Sequence, residues 1–588
     1  MGRKKRSICV GDAETDPFVW GESVEPFVFG FYDGDNYEEF WGDDCVPRFV
    51  EHIIDKHAYC YFHNGGNFDF YFLLEHLDPE LFCIKTRIAK ATIGQCELRD
   101  SFLILPLPLA AHKKDEIEYW KMAREHREHH RSEISNYLYS DCLHLYEWVK
   151  KFTDRFGTRL TLPSVAIKEL RATGYEVPRT REDQDARYRP FYYGGRTQAF
   201  KVGRFDGPIQ YYDINSAYPY AMLFKHPRGQ DALVLDKFPN HSAPYFAVID
   251  AISHGALPLR NADRSLDFPS DDEIRTFHAT HWEIQAGLET KTLWVKKIHR
   301  VYVFTDIADF EPFVTKYYGE KLEAKLNGDK DTELHAKLLL NGCYGKFGQD
   351  ARNFKDYLLT ELGAVPDEAL DEPRKLFGHG YDYEINEHGE MVPPEDANKV
   401  NGQPDYDLMK DRGWIKTGET ETDHAVWEKS NPGEWFFNVA TAASITGFVR
   451  AYLWRAICRS KDVLYCDTDS IMAKEFDGPT GNELGQWSRE DSFKHIWIGG
   501  KKLYAAISEN DGSTAPFKTR YDEDINMRVP ILHDDKQWVT ASKGTRLTPL
   551  EIQRIVENQE TVTWYNKGPS FSLTQGTTWT HRQIKRIA

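Results

Sequence analysis

The amino-acid sequence predicts a multidomain α+β protein, and three observations carry this reading. The chain has 588 residues, too many for one hydrophobic core; at roughly 100–200 residues per domain, three to five domains are expected. Its first quarter alternates short β-like runs with helical ones, and a long helical block follows only after residue 310. The apolar fraction is 41% and the charged fraction 28%, the balance of an ordinary folded protein.

In chain order, Ser7–Val10, Phe27–Tyr32 and Ala58–Phe62 read as strands, and Phe68–Leu77 and Ser132–Lys151 as helices. Gly174–Arg189, which opens on Gly174 and Pro178 and is rich in Arg, reads as a connector. Ile209–Ile214 is strand-like, and residues 223–310 are mixed and strand-rich. Phe313–Tyr344 is helical but broken at Asn327-Gly328-Asp329, which predicts a helical hairpin. Residues 350–433 are polar and acidic and read as an insertion with little core of its own. Helix returns at Val439–Arg459 and strand at Val463–Tyr465.

No stretch approaches the roughly 20 apolar residues of a membrane span; the longest run, Phe102–Ala111, contains two prolines. The basic start Gly2-Arg3-Lys4-Lys5-Arg6 has no apolar signal core behind it, so export is not expected and the basic cluster reads as a solvated tail. The nine cysteines are scattered, without a CxxC pair, which argues for a reducing cytoplasmic compartment and against disulfide or zinc frameworks. His126, His129 and His130 alternate with charges and read as a solvated helix face. The net charge of −18 opposes nucleic acid as a partner. That objection is weak, because a metal-holding enzyme must concentrate carboxylates and a basic channel can sit within an acidic whole.

Asp12-Ala13-Glu14 follows the first apolar run. In a strand, residues i and i+2 project to one face, where two acids repel unless a cation lies between them. Mg²⁺ prefers such oxygen ligands. Asp69 ends the turn Phe62-His63-Asn64-Gly65-Gly66-Asn67-Phe68-Asp69, and Asp141 stands four residues after Tyr137, on one helix face. Four carboxylates and a Tyr of this kind can hold two metals and orient a water for phosphodiester hydrolysis.

Three segments carry a second constellation: Tyr212-Asp213-Ile214-Asn215-Ser216-Ala217-Tyr218-Pro219, Lys337-Leu338-Leu339-Leu340-Asn341-Gly342-Cys343-Tyr344-Gly345 and Tyr465-Cys466-Asp467-Thr468-Asp469-Ser470-Ile471. Lys337, Asn341 and Tyr344 recur at i, i+4 and i+7, so they share one polar and aromatic face of a mostly apolar helix. Phosphoryl transfer requires in-line positioning and neutralised phosphate charge. Asp213 and Asp469 are placed to bridge two Mg²⁺ ions with Asp467 beside them, one ion activating a primer 3′ oxygen and the other holding a triphosphate. Lys337 supplies positive charge to that triphosphate. Tyr344 can stack near the nascent base pair, and Tyr218 is placed to close off the 2′ side of the sugar, selecting deoxynucleotides.

These segments resemble motifs A, B and C of the family B DNA polymerases. The N-terminal acids resemble a DEDD exonuclease domain with Tyr in its third motif. The resemblance implies a right-hand polymerase of palm, fingers and thumb behind an RNase H-like 3′–5′ exonuclease domain. It makes Asp12, Glu14, Asp69 and Asp141 metal ligands and Tyr137 the residue that orients water. It puts Asn64, Phe68, Ser101 and Phe102 on the single-stranded 3′ end. Tyr192, Gly194 and Gly195 match the YxGG motif that contacts template, and Lys502 and Tyr504 the KxY motif that holds primer. Lys321 is the choice for a second triphosphate contact, with Lys325 the alternative because hairpin length varies. Asn341 is expected to meet DNA. Mg²⁺, two ions per site, is the expected cofactor, with Mn²⁺ as its substitute.

Short length, a compact exonuclease domain and extra segments in the polymerase half resemble the protein-primed branch, found in phages, viruses and linear plasmids with small linear genomes. The implied partners are primer–template DNA, deoxynucleotides and a separate terminal protein, with a monomer working in the host cytoplasm. The implied domains are an exonuclease (1–155), a connector and palm start (156–222), palm with an insertion facing the priming protein (223–312), fingers (313–349), a second insertion for processivity and strand displacement (350–433), palm (434–514) and thumb (515–588). A DNA-primed replicase or repair polymerase is the alternative enzyme. A non-catalytic DNA-binding scaffold is the alternative without chemistry, and the intact acids count against it.

Overall fold

The computed structural model describes residues 5–586 except 110–111, 179, 230, 241, 362–383, 386–390, 393–398, 401–402, 405–412, 431–436, 510–518, 523–526, 531–537, 543 and 567. The chain divides into two compact units. Unit 1 comprises Met1–Thr161, Asp350–Glu434 and Lys567–Thr580, and unit 2 the rest. Both are α+β.

Unit 1 is built on β1 (Ser7–Thr15), β2 (Pro26–Tyr32), β3 (Tyr37–Trp41), β4 (Ala58–Phe62), β5 (Glu80–Ile84), β6 (Arg87–Ile93) and β7 (Cys96–Asp100), with helices α1 (Cys45–Ile53), α2 (Asp69–Phe72) and α3 (Arg131–Phe156). The sheet order is β5-β6-β7-β4-β1-β2-β3. Only β1–β4 and β4–β7 are parallel pairs. β1 is therefore central, and its alternation sends Cys9 and Ala13 into an apolar core with Phe29, Phe49, Cys60 and Leu98. Cys9, Cys60 and Cys96 cluster there as free thiols and act as small apolar side chains. A Cβ on Gly30 would stand 2.9 Å from Leu138 Cγ. Glycine thus lets α3 lie close on the sheet, which brings Asp141 down toward β1.

Two expectations change in this unit. The helix expected at Phe68–Leu77 is one α-turn, Asp69–Phe72, followed by a 3₁₀ turn, Leu74–His76. The segment 350–433 does share a core. Phe354–Glu361 pairs antiparallel with β5, His424–Ser430 pairs with it in turn, and Trp414–Glu419 forms the edge, giving ten strands. Leu359 and Val426 join the unit 1 core. Each of these strands buries only a short run, such as Leu358–Thr360 and Ala425–Trp427, so composition averaged over the polar segment hides it. The residues between these strands lie largely outside the described ones. The hairpin Ser570–Ser572 and Gly576–Thr578 also belongs here, with Phe571 against Phe68, Tyr71 and Phe72. The region expected as one thumb, 515–588, is thus divided between the units.

Unit 2 begins with α4 (Leu162–Ala172), α5 (Glu182–Tyr188), β8 (Thr197–Ala199), β9 (Gly203–Ile214) and α6 (Ala217–Met222). The expected connector at Gly174–Arg189 therefore holds a helix. It is set by Gln184, whose Oε1 accepts from the Arg181 backbone N–H, and by the Asp185–Arg189 pair at 2.5 Å. A four-stranded sheet follows, in the order Ala232–Leu235, Leu293–Phe304, Tyr245–Ser253, Arg275–Thr280, with α7 (His281–Glu289) beside it. Helices α8 (Glu311–Asn327) and α9 (Lys330–Phe347) form the hairpin read from Asn327-Gly328-Asp329. Gly328 ends α8 in the left-handed region and Asp329 caps α9. Last come α10 (Val439–Arg459), β10 (Lys461–Asp467), β11 (Ser470–Glu475), β12 (Trp487–Gly500), β13 (Leu503–Ser508), β14 (Trp538–Ser542) and α11 (Pro549–Glu557). The main sheet runs β14-β13-β12-β9-β11-β10-β8. α10 is buried along most of its length, which is why its apolar pattern has little polar face.

Candidate functional site

Each unit gathers carboxylates at the end of a central strand. In unit 1, Asp12 and Glu14 share one face of β1, and Asp141 reaches them from α3. Their carboxylate oxygens lie within 4.8 Å of one another. Asp69, at the first turn of α2, is buried near them. Burial, reinforced by Asp141, pushes Asp12 up to about 7. Burial with Asp12 beside them raises Glu14 and Asp69 well above the carboxylate range. Burial also raises the Tyr137 hydroxyl, with Glu14 and Asp141 adding to it. Asp141 Oδ1 is buried without a hydrogen-bond partner. Crowded acids and an orphaned oxygen form a donor set that suits a hard divalent cation.

Lys114 is the residue that sequence reading missed here. Its Nζ lies 2.8 Å from Asp141 Oδ2 and 5.2 Å from the Tyr137 ring centre. Burial opposes its charge, but Asp141 outweighs that and holds the ammonium above its ordinary range. Nothing in the spacing of Lys113-Lys114 marks it, because the contact closes over 27 residues.

Asp100 organises the neighbouring loop. Its carboxylate accepts from the backbone N–H of Asn64, Gly66 and Phe102 and pairs with Arg87. Asn64 is held in the left-handed region. Phe68 stays half-buried between Phe18, Phe72 and Phe571. Phe102 is half-buried under the Arg87 guanidinium. Ser101 is fully buried, its hydroxyl held between Phe62 O and His63 Nδ1, so it braces the loop from inside.

In unit 2, β9 lies against β11 with Asp213 opposite Ser470, and β10 against β11 with Asp467 opposite Ser470. The turn between β10 and β11 thereby brings Asp467 and Asp469 beside Asp213. Thr468 takes φ +60° in that turn. The Ile214 N–H donates to Asp469 O at 2.8 Å, locking strand to turn. Burial, then Asp469 and Glu490, pushes Asp213 up to about 7, while Lys337 opposes the rise. Burial, with Asp467 beside it, pushes Asp469 up to about 6. Asp467 is already satisfied: Thr197 and Thr468 donate to Oδ1 at 2.8 and 3.1 Å, and Lys502 Nζ lies 3.1 Å from Oδ2. Asp213 and Asp469 are thus the less committed oxygens. Glu490, at a bulge in β12, faces Asp213 as an acid with no sequence signature.

Above these acids, Lys321 of α8 donates to Ser216 Oγ at 3.1 Å, and its ammonium is lowered by burial and by Lys337. The two lysines therefore face the same space. Lys316, on the same helix, is turned to Tyr317 and Glu169. Tyr218 and Tyr344 stack with centroids 4.0 Å apart. Asn341 is exposed on α9. Tyr504 is buried against Tyr465, whose hydroxyl accepts from the Lys502 N–H. Tyr192 packs against Gly348, where a Cβ would stand 2.4 Å from the ring. The exposed Gly194 and neighbouring Tyr193 offer their carbonyls to Arg450, which forms a wholly buried pair with Glu283 at 2.8 Å. Arg450 and Glu283 were not singled out by the sequence, since 167 residues separate them.

A sequence model of the DNA polymerases of type B, organellar and viral, matches residues 104–377. The DNA-directed DNA polymerase of Enterobacteria phage PRD1 is 34% identical over 98% of each chain. A probable DNA polymerase of Agaricus bitorquis is 24% identical over 64% of this chain and 48% of its own. Among solved structures, Phi29 DNA polymerase complexed with primer–template DNA superposes with a TM-score of 0.65 at 17% identity, over 99% of this chain and 100% of that one. Its ternary complex with incoming nucleotides gives 0.63 at 16% identity, over 100% of each chain. No described helix is long and apolar enough to cross a membrane.

Proposed function

The chain belongs to the protein-primed branch of the family B DNA polymerases, and on that premise we propose that it extends DNA with unit 2 and shortens 3′ ends with unit 1. The observation that carries this is the pairing of two separate carboxylate clusters, each on a central strand of its own unit. Divalent ions, Mg²⁺ or Mn²⁺, held by Asp213 and Asp469 in one cluster and by Asp12, Glu14, Asp69 and Asp141 in the other, would supply Lewis-acid activation of oxygen nucleophiles and charge neutralisation at phosphate.

In unit 2, the primer 3′ oxygen forms a bond to the α-phosphorus as the bond to the β-phosphate oxygen breaks and pyrophosphate leaves. Lys337 and Lys321 neutralise the triphosphate. Tyr344 packs on the nascent base pair, and Tyr218, stacked on it, crowds the 2′ position so that deoxynucleotides are selected. Lys502 holds Asp467 in place and offers its charge to the primer strand, with Tyr504 bracing it through Tyr465. The loop Tyr192–Gly195 and Asn341 contact DNA. In unit 1, Tyr137 orients a water toward the terminal phosphodiester, Lys114 balances the charge at Asp141, and Asn64, Phe68 and Phe102 hold the unpaired end by polar and apolar contact.

We assign α8 and α9 as fingers, the seven-stranded sheet as palm, and the four-stranded sheet as the insertion that meets a separate terminal protein. Incubating the chain with primed template should give extension with nucleotides and 3′ shortening without them. DNA binding with neither reaction would favour a scaffold. Product from a terminal protein and nucleotide, without a DNA primer, separates protein priming from DNA priming.

For strand displacement and processivity, the segment to remove is 366–410, since wider excision would strip three strands from unit 1. Its loss should shorten products on a primed circle by about tenfold, read on a gel, through the lost tether to DNA. Unchanged product length would exclude that role.

A further inference from the structure

Arg196 is almost wholly buried, and among the described residues no carboxylate pairs with it. Its guanidinium donates to Gly255 O at 2.6 Å and to Gln198 Oε1, and it lies over the rings of Phe268 and Trp454 at 4.1 and 4.3 Å. Burying a guanidinium without a counter-charge is costly; here carbonyl dipoles and aromatic faces share the compensation. The contacts converge from the segment around Gly255–Phe268 and from α10.

The backbone of Arg196 does something different. Its carbonyl accepts from the Thr468 N–H at 2.6 Å, in the turn between Asp467 and Asp469. On one side, a Cβ on Gly195 would stand 2.6 Å from Thr468 Cγ2, so glycine admits the turn. On the other, Thr197 holds Asp467 Oδ1. Three successive residues thus touch the turn that carries two acids, and the one with the costly side chain sits in the middle.

We propose that Arg196 is a positioning residue for nucleotide transfer: anchored between Gly255, Gln198, Phe268 and Trp454, it fixes the carbonyl that holds Thr468 left-handed and so sets the placement of Asp467 and Asp469. The inference rests on the assignment of those acids to synthesis. Its signature is a misplaced metal site with an intact nucleotide pocket.

The test uses Arg196→Met, which keeps an unbranched apolar stem without the guanidinium, and Arg196→Lys, which keeps the charge but not the fork. Extension on primed template should fall ~10–100-fold in kcat in both, as small misplacements of reacting groups do, with KM for nucleotide nearly unchanged and more Mg²⁺ needed for half-maximal rate. The 3′ shortening assigned to unit 1 should persist in the same tube and report intact folding. Unchanged kcat and Mg²⁺ requirement would overturn the proposal. So would full recovery by lysine, or a loss of both activities together with a lowered melting temperature, which would make Arg196 a stability residue only. If the unaltered chain itself fails to extend primers, the assignment of the acids fails, and that outcome is separate from these.

Discussion

In unit 1 the acids Glu14, Asp69 and Asp141 are buried around a half-buried Asp12, and among the described residues a single lysine, Lys114, reaches them. In unit 2 Asp213, Asp467 and Asp469 are all half-buried, and one of the three is already tied to two threonines and a lysine. The motifs look alike along the chain, two acids at i and i+2 after an apolar strand. Their surroundings differ because of what closes over them. A helix lies across β1, made close by Gly30, whereas the turn after β10 is left open beside the paired lysines of α8 and α9. A closed cluster suits a reaction on one phosphodiester and a water. An open one leaves room for a triphosphate, a base pair and a primer end. The difference also means that unit 1 buries more carboxyl groups per lysine.

The strongest way to break this comparison is to remove one acid from each cluster. Asp469→Ala or Asp467→Ala should cut extension by ~1,000-fold, about 4 kcal/mol of transition-state stabilisation, and spare degradation of a 3′ end. Asp12→Ala should do the reverse, with the same primed template as substrate. If either change abolished both reactions without unfolding the chain, two independent sites would not exist.

A smaller effect comes from the lysines. Lys114→Ala should slow 3′ degradation by about 100-fold, a typical loss for one electrostatic group in a dry site, and leave extension unchanged. Lys502→Ala should act on extension alone, by a smaller factor, since Asp467 keeps its two threonine donors. Equal losses would mean that the two sites are alike in exposure after all.

The smallest effect is on stability. Asp12 and Asp213 sit at about 7 and Asp469 at about 6, above the unfolded carboxylate value. The folded chain without metal therefore keeps protons that the unfolded chain has lost, and its stability falls as pH rises from about 4 to about 7. Divalent ions at these acids remove that penalty. Saturating Mg²⁺ should raise the melting temperature by a few degrees at about pH 8 and by less at about pH 5, measured by scanning calorimetry. Asp12→Asn should raise the metal-free value at the higher pH and reduce the gain from Mg²⁺.

Local signals were legible in proportion to how local their causes are. The break Asn327-Gly328-Asp329, the strand Ala58–Phe62 and the helix Val439–Arg459 were readable because capping, turn chemistry and apolar runs act over a few residues. Acids at i and i+2 were readable because strand geometry alone fixes their shared face. Glu182–Tyr188 was missed because a short helix with charged caps looks like loop by composition. The strands in 350–433 were missed because their apolar partners lie on β5, in a distant part of the chain.

The amino-acid sequence by itself determined the family, the acids and the order of the elements that carry them. Those properties live in side-chain identity and in periods of two and 3.6 residues, which folding does not alter. Only the tertiary structure decided which acid is left with free oxygens, that Lys114 meets Asp141 and Arg450 meets Glu283, and that 567–580 joins unit 1. These depend on chain closures over tens to hundreds of residues, where packing and the cost of burying charge select one partner among many of equal chemistry.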